Sequence, residues 1–147
     1  MIITRKVEFS ASHVCRIARL SDEENRRIYG VAANPNGHGH NYVVEVSVEG
    51  QPDPVTGMVL DLKELKELLN REVVAPYDHC FLNYEAPPFD KVTPTTENIA
   101  REIWRRLEPH LRGAARRLHS IRLYETPDLF VDYFGEELSS GENLCSA

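Results

Sequence analysis

The chain has 147 residues, which suits a single domain with a hydrophobic core, and its apolar fraction of 41% is ordinary for a globular protein. A formal net charge of −6 argues against general nucleic-acid binding. We expect no membrane span, because no stretch approaches ~20 apolar residues, and no signal peptide, because the N-terminus lacks an apolar core. Three scattered cysteines argue against a disulfide framework and favour a reducing, cytoplasmic environment.

The first part of the chain predicts two strands with a short helix between them. Residues 2–13 alternate well enough for a strand that ends at His13. Ser21, followed by acidic residues, predicts the N-cap of a helix that runs to about Tyr29. Residues 40–49 alternate again and predict the second strand. A turn over residues 51–57 and a resumed strand over 58–60 would complete a hairpin.

The second part predicts two longer helices and a final pair of strands. Asp61 can cap a helix with leucines at helical spacing, which Pro76 would end before a long loop over residues 77–93. Thr95 or Thr96 can cap the next helix. Residues 118–125 and 129–134 alternate as two strands, and residues 138–147 look like a frayed, polar tail.

This order predicts a single α+β domain over residues 1–137. It would hold an antiparallel sheet of two hairpins, with the two longer helices on one face. Because a thin unit of this kind leaves its sheet edges open, we expect the chain to oligomerise.

The most specific chemical signal is the pair His38 and His40 at the start of the second predicted strand. Side chains two residues apart on a strand point to the same face, and Gly39 between them adds no bulk. His13, at the end of another strand, can complete a set of three. Three histidines and an open position are the usual arrangement of a catalytic zinc site. The ordinary alternative is that each histidine is a surface or core residue, since a His-x-His pair alone is a weak signal.

Six short motifs follow one another in a recognisable order between about Val7 and Gly135. They are FSASH at residues 9–13, NPNGHGHNY at 34–42, DPVTGMV at 53–59, YDH at 77–79, TTEN at 95–98 and YET at 124–126. Together they resemble the 6-pyruvoyl-tetrahydropterin synthase family, which includes the 6-carboxytetrahydropterin synthases of the queuosine pathway. The resemblance implies the tunnelling fold, in which hairpin pairs from three subunits close a barrel and two trimers stack into a homohexamer. Active sites then lie at subunit interfaces.

The resemblance also implies a role for each matching residue. The zinc ligands would be His13, His38 and His40, and Glu125 would anchor the pterin. Asp78 and His79 would form an acid–base pair. The segment that lines the pterin pocket would consist of Thr95, Thr96 and Glu97. The family substrate is 7,8-dihydroneopterin triphosphate. The queuosine branch uses the same substrate but releases its two-carbon end as acetaldehyde.

One position departs from the family pattern. Ala32 stands where the family usually has its catalytic cysteine, and a second family spacing gives Asn34; neither side chain can act as a thiolate. Cys15 is the strongest substitute, because it would share a strand face with His13 if the strand continued, and a nearby cation favours a thiolate. The simpler interpretation of Cys15 is a small buried apolar residue.

Two weaker substitutes remain. Cys80 has the opposite parity to His79, and Glu23 and Glu24 look like ordinary first-turn helix charges.

Taken with the resemblance, the sequence indicates a zinc-dependent lyase of the 6-pyruvoyl-tetrahydropterin synthase kind, with a small-molecule pterin substrate and neither nucleic acid nor membrane as partner. Three alternatives stay open: a 6-carboxytetrahydropterin synthase, a pterin-binding homologue without turnover, and a structural zinc module with a closed four-ligand site.

Overall fold

A five-stranded sheet forms the frame of the computed structural model, which describes residues 1–135. The strands are β1 (Ile2–His13), β2 (His38–Gly50), β3 (Cys80–Phe81), β4 (Arg116–Thr126) and β5 (Leu129–Tyr133). They lie in the order β3-β1-β2-β4-β5. Neighbouring strands are antiparallel, except that the short β3 runs parallel to β1. The predicted α+β class is therefore confirmed, with one parallel edge strand added to the antiparallel sheet.

In the described part of the chain, five helices connect the strands: α1 (Asp22–Tyr29), α2 (Leu62–Leu69), α3 (Ala75–Tyr77), α4 (Leu82–Glu85) and α5 (Thr96–Leu111). A 3-10 turn follows α1 over Gly30–Ala33, and a π-helical turn over Asn70–Val74 joins α2 to α3. The predicted caps are present, because the side chains of Ser21, Asp61 and Thr95 each accept a backbone N–H from the first turn of α1, α2 and α5.

The core lies between one face of the sheet and the helices α2 and α5. Val44, Val46 and Val48 alternate along β2 with no exposed surface, and they share one apolar cluster with residues such as Leu65 of α2 and Ile103 of α5. Alternation with a period of two directs every second side chain of the strand into this cluster. The two longer helices therefore cover the same face, as the sequence predicts.

The opposite face of the sheet is polar, and ion pairs and hydrogen bonds connect side chains of neighbouring strands. Its side chains form cross-strand pairs, which include Lys6–Glu45 at 3.1 Å, Arg122–Asp132 at 2.6 Å and Thr4–Ser47 at 2.7 Å. Pairs of this kind each contribute a fraction of a kilocalorie per mole, ~0.2–1 kcal/mol. Thr4, Lys6 and Glu8, on this face of β1, are exposed.

Three predictions about connections are wrong. Residues 58–60 form no strand, and Val59 and Leu60 lie in a bend, because β4 pairs with the edge of β2 that a hairpin partner would need. Pro76 does not end the helical path, since a proline in the first turn of α3 needs no N–H partner. The segment 77–93 is not one long loop, because it contains β3 and α4.

The predicted tail at 138–147 lies outside the described residues. Within residues 1–135, none of the helices has the length and apolar character that crossing a membrane would require.

Candidate metal centre and active site

Three histidines converge at the end of the sheet, on the face that the helices cover. The register of β1 and β2 pairs His13 with His38 and Ala11 with His40. The centre of the His13 ring lies 4.5 Å from that of His38 and 5.2 Å from that of His40, and the His38 and His40 rings are 5.0 Å apart. The spacing of the sequence and the antiparallel register thus bring all three imidazoles together.

Glu125, near the end of β4, completes a group that fits a metal ion. One ligand atom from each of His13, His38, His40 and Glu125 lies within 4.8 Å of the others. The buried atoms His38 Nδ1 and His40 Nε2 have no hydrogen-bond partner; Glu125 Oε1 is 3.0 Å from His40 Nε2 but without hydrogen-bond geometry. Unpaired buried polar atoms are uncommon in proteins. Imidazole nitrogens with a carboxylate oxygen are ligands that zinc accepts.

The surroundings of His13 prepare it to bind a cation. Its Nδ1 lies 2.7 Å from the carbonyl oxygen of Pro94, which can only accept, so Nδ1 carries the proton and Nε2 keeps its lone pair. Tyr42 Oη lies 3.4 Å from that Nε2. Burial lowers the pKa of His13 and also that of His40. Both rings are therefore neutral near pH 7, which is the form that binds metals.

The residues predicted to hold the pterin lie beside the histidines. The buried Thr96 hydroxyl donates a hydrogen bond to Glu125 Oε2. Thr95 accepts the Asn98 backbone N–H as the cap of α5, and Glu97 is exposed in the first turn of that helix. This helix N-terminus therefore contributes to the edge of the cluster.

Cys15 lies next to the position that lacks the family cysteine. β1 ends at His13, so the predicted continuation of the strand to Cys15 is absent. The Cys15 N–H instead donates to the carbonyl oxygen of Ala32 at 2.9 Å, and only 7% of Cys15 is exposed. Burial, followed by the carboxylates of Glu125 and Glu97, raises the pKa of the Cys15 thiol to about 11. These groups act against the thiolate, whereas a bound cation would favour it.

Asp78 and His79 are not among the residues whose ligand atoms converge in the histidine cluster. The Asp78 carboxylate accepts the Ser10 N–H at 2.9 Å and lies 2.9 Å from His79 Nδ1, and these contacts, led by Ser10, lower the pKa of Asp78. The His79 side chain is 82% exposed. It borders an open cleft of about 490 Å³ together with residues that include Ser12, His40 and Glu85.

The other predicted substitutes have ordinary surroundings. Glu24 forms a capping box with Ser21 at the start of α1, and Glu23 is exposed beside it. The Cys80 thiol is directed to the Asp78 carbonyl oxygen at 3.6 Å. Sequence reasoning missed Tyr42 beneath the cluster, although its position two residues after His40 on the same strand face was the available signal.

Comparison with known proteins agrees with this geometry. The family model described as 6-pyruvoyl tetrahydropterin synthase matches residues 2–136. The chain is 47% identical over 134 residues to the 6-pyruvoyl tetrahydrobiopterin synthase of Poecilia reticulata, covering 91% of this chain and 90% of that one. It is 26% identical to the 6-carboxy-5,6,7,8-tetrahydropterin synthase of Rickettsia conorii, with 88% and 96% covered.

A solved structure supports the same assignment. The 6-pyruvoyl tetrahydropterin synthase of Caenorhabditis elegans superposes with a TM-score of 0.86 at 34% identity, covering 92% of this chain and 96% of that one. Its sheet and helices therefore have the arrangement described above. On its sequence, its fold and its histidine cluster, the chain belongs to the 6-pyruvoyl tetrahydropterin synthase family.

Proposed function

We propose that this protein is a zinc-dependent lyase of the 6-pyruvoyl-tetrahydropterin synthase kind, acting on 7,8-dihydroneopterin triphosphate. The observation that carries the proposal is the cluster of His13, His38, His40 and Glu125, in which two buried imidazole nitrogens have no hydrogen-bond partner. The names of the relatives indicate a pterin as the ligand. The cluster provides ligands for a metal ion next to a carboxylate.

The three histidines would hold the zinc ion, which when bound supplies a Lewis acid that lowers the pKa of substrate hydroxyl groups. Glu125 would bind the pterin, because a carboxylate can accept two parallel N–H bonds from the 2-amino-pyrimidinone edge. The hydroxyl of Thr96 holds one oxygen of that carboxylate and so limits its rotation. Thr95 and Glu97, at the same helix terminus, would line the pterin pocket.

His79 would move protons during the reaction. Asp78 lies 2.9 Å from His79 Nδ1, so it can orient the ring and leave Nε2 free to exchange a proton. Because this imidazole is exposed and is not one of the converging groups of its own chain, we propose that it serves the cluster of a second copy. On the same ground we propose the homohexamer with barrels closed between subunits, since the pair lies beside Ser10 of β1 with the His79 side chain exposed.

Cys15 would replace the missing family cysteine. Its backbone is bonded to Ala32 at 2.9 Å, so a thiol on residue 15 lies on the chain segment adjacent to the one that carries it in the family. In this role Cys15 Sγ would exchange a proton with the substrate side chain. Cys80 is a weaker substitute, since its thiol is directed to the Asp78 carbonyl oxygen.

Three alternative functions each have some support. The same substrate would serve a 6-carboxytetrahydropterin synthase, although the relative of that name is the more distant one at 26% identity. The absence of a thiol at Ala32 favours a pterin-binding homologue without turnover. Glu125 is close enough to be a fourth ligand, which favours a closed structural zinc site. We propose neither nucleic acid nor membrane as partner, and the net charge of −6 supports the first of these two exclusions. The three scattered cysteines support a cytoplasmic location.

Incubation of the zinc-loaded protein with 7,8-dihydroneopterin triphosphate, followed by mass spectrometry of the products, tests the proposal. We expect 6-pyruvoyl-tetrahydropterin and triphosphate from the wild type and neither from His38→Ala. Acetaldehyde with a 6-carboxy product would assign the chain to the queuosine branch. Pterin binding without any product would support the homologue without turnover.

A further inference from the structure

We propose that Asn83 is a positioning residue for the metal site, and that its amide group holds the chain segment between His13 and Cys15 in an extended conformation. The inference rests on the proposed metal site and adds a residue that none of the matching motifs contains. The two side-chain hydrogen bonds of Asn83 go neither to the histidine cluster nor to the thiol. It acts on Val14, the one residue between them.

The contact is a pair of hydrogen bonds from one side chain to one backbone. Asn83 Oδ1 accepts the Val14 N–H at 2.9 Å, and Asn83 Nδ2 donates to the Val14 carbonyl oxygen at 3.0 Å. Val14 is buried, and a single side-chain amide 69 positions away in the sequence satisfies both its backbone N–H and its carbonyl oxygen. A carboxylate cannot do this, because it has no donor for the carbonyl.

The amide extends a strand ladder that has ended. β3 pairs with β1 in parallel at Ala11↔Cys80 and Ser12↔Phe81, and then the chain turns into α4 at Leu82. The backbone of residue 83 is helical and has no strand pairing to offer. Its side chain supplies the donor and the acceptor that the next strand residue would have supplied.

The segment is fixed on its other sides as well. The Cys15 N–H donates a hydrogen bond to the Ala32 carbonyl oxygen, and the His13 ring donates one to the Pro94 carbonyl oxygen. Asn83 therefore provides the attachment on the α4 side. Without it, the backbone that follows His13 would lose its attachment on this side. His13 would then be held only by its strand partner His38 and by the Pro94 carbonyl oxygen, so its Nε2 would be less tightly positioned.

Asn25 offers a matched control. Its buried amide also binds the backbone of this loop, but further along, at Ile17, Leu20 and Ser21. Replacement of Asn25 should lower the stability of the fold without releasing the residues on either side of Val14. A merely structural role for Asn83 would give the same result at both positions.

The test is the affinity for Zn²⁺, measured by competition with a chromophoric chelator on folded, metal-stripped protein. Asn83→Asp keeps the size of the side chain and its hydrogen-bond acceptor, but it places a carboxylate oxygen opposite the Val14 carbonyl oxygen. We expect it to weaken zinc binding about 10- to 100-fold, the range found for groups that orient metal ligands. The spectrum of the Co²⁺-substituted protein should change with it. Asn25→Asp should bind zinc within about threefold of the wild type, whatever its unfolding temperature.

A second readout needs no metal. The Cys15 thiol is 7% exposed, so its alkylation, located by mass spectrometry, should be slow in the wild type and in Asn25→Asp, and at least about tenfold faster in Asn83→Asp or Asn83→Ser. Wild-type zinc affinity and wild-type alkylation in these Asn83 variants would overturn the inference, while loss of zinc in His38→Ala would leave the metal site standing. If the wild type takes up no zinc, the proposed metal site is wrong and the inference falls with it.

Discussion

Replacement of Glu125 by glutamine separates the proposed pterin anchor from a structural metal ligand. The Glu125 side chain is 17% exposed, and its second oxygen is already held by Thr96, so the group is largely withdrawn from water. A hydrogen bond to a charged group contributes about 1.5–3 kcal/mol. Glu125→Gln keeps the shape but turns an N–H donor towards the donors of the pterin. We therefore expect the Kd for 7,8-dihydroneopterin to rise about 10- to 150-fold.

The assay is calorimetric titration of the zinc-loaded variant, with the zinc content measured in the same sample. Glu64→Gln, an exposed glutamate of α2, is the control and should bind the pterin as the wild type does. An unchanged Kd in Glu125→Gln would refute the anchor. Loss of zinc together with unchanged pterin binding would show instead that Glu125 is a fourth metal ligand.

Three further outcomes are expected. His38→Ala should lose most of its zinc by metal analysis, because three nitrogen ligands are reduced to two; full zinc content would contradict the three-histidine site. Cys15→Ala should lower turnover by about 10²- to 10⁴-fold, as loss of a general base does, with zinc and pterin still bound, and Cys80→Ala should not. Normal turnover in Cys15→Ala would mean that the proton acceptor is another group. Ile103→Ala should lower the free energy of unfolding in urea by about 2–5 kcal/mol, because this side chain has no exposed surface; Leu62→Ala, at a side chain that is 51% exposed, is the control, and an equal loss there would contradict the reasoning.

Local rules were sufficient for much of the fold. Ser21, Asp61 and Thr95 start helices because a short polar side chain can satisfy the free N–H groups of a first turn. The spacing of His38 and His40 fixes their common face for the same geometric reason that alternation marks a strand. The end of β1 at His13 was also visible in the pattern.

Features that depend on distant partners were not visible. Leu60 is buried by packing in a bend, and an apolar pair such as Val59 and Leu60 looks the same in a strand. β3 has two residues, which is too short for alternation to appear. The contact of Asn83 with Val14 depends on where β3 ends against β1, and no local sequence pattern encodes that register. The histidine cluster was predictable, whereas the contact that holds the neighbouring backbone was not.

The backbone of His79 has a consequence for how this chain would change under selection. Its φ of 60° lies in the left-handed region, where an L residue other than glycine or asparagine costs on the order of 1 kcal/mol. Its side chain is 82% exposed, so it returns almost no buried surface. A library selected for stability alone should therefore drift to glycine or asparagine at this position. A library selected for turnover should keep histidine, and the difference between the two would measure what the imidazole contributes beyond folding.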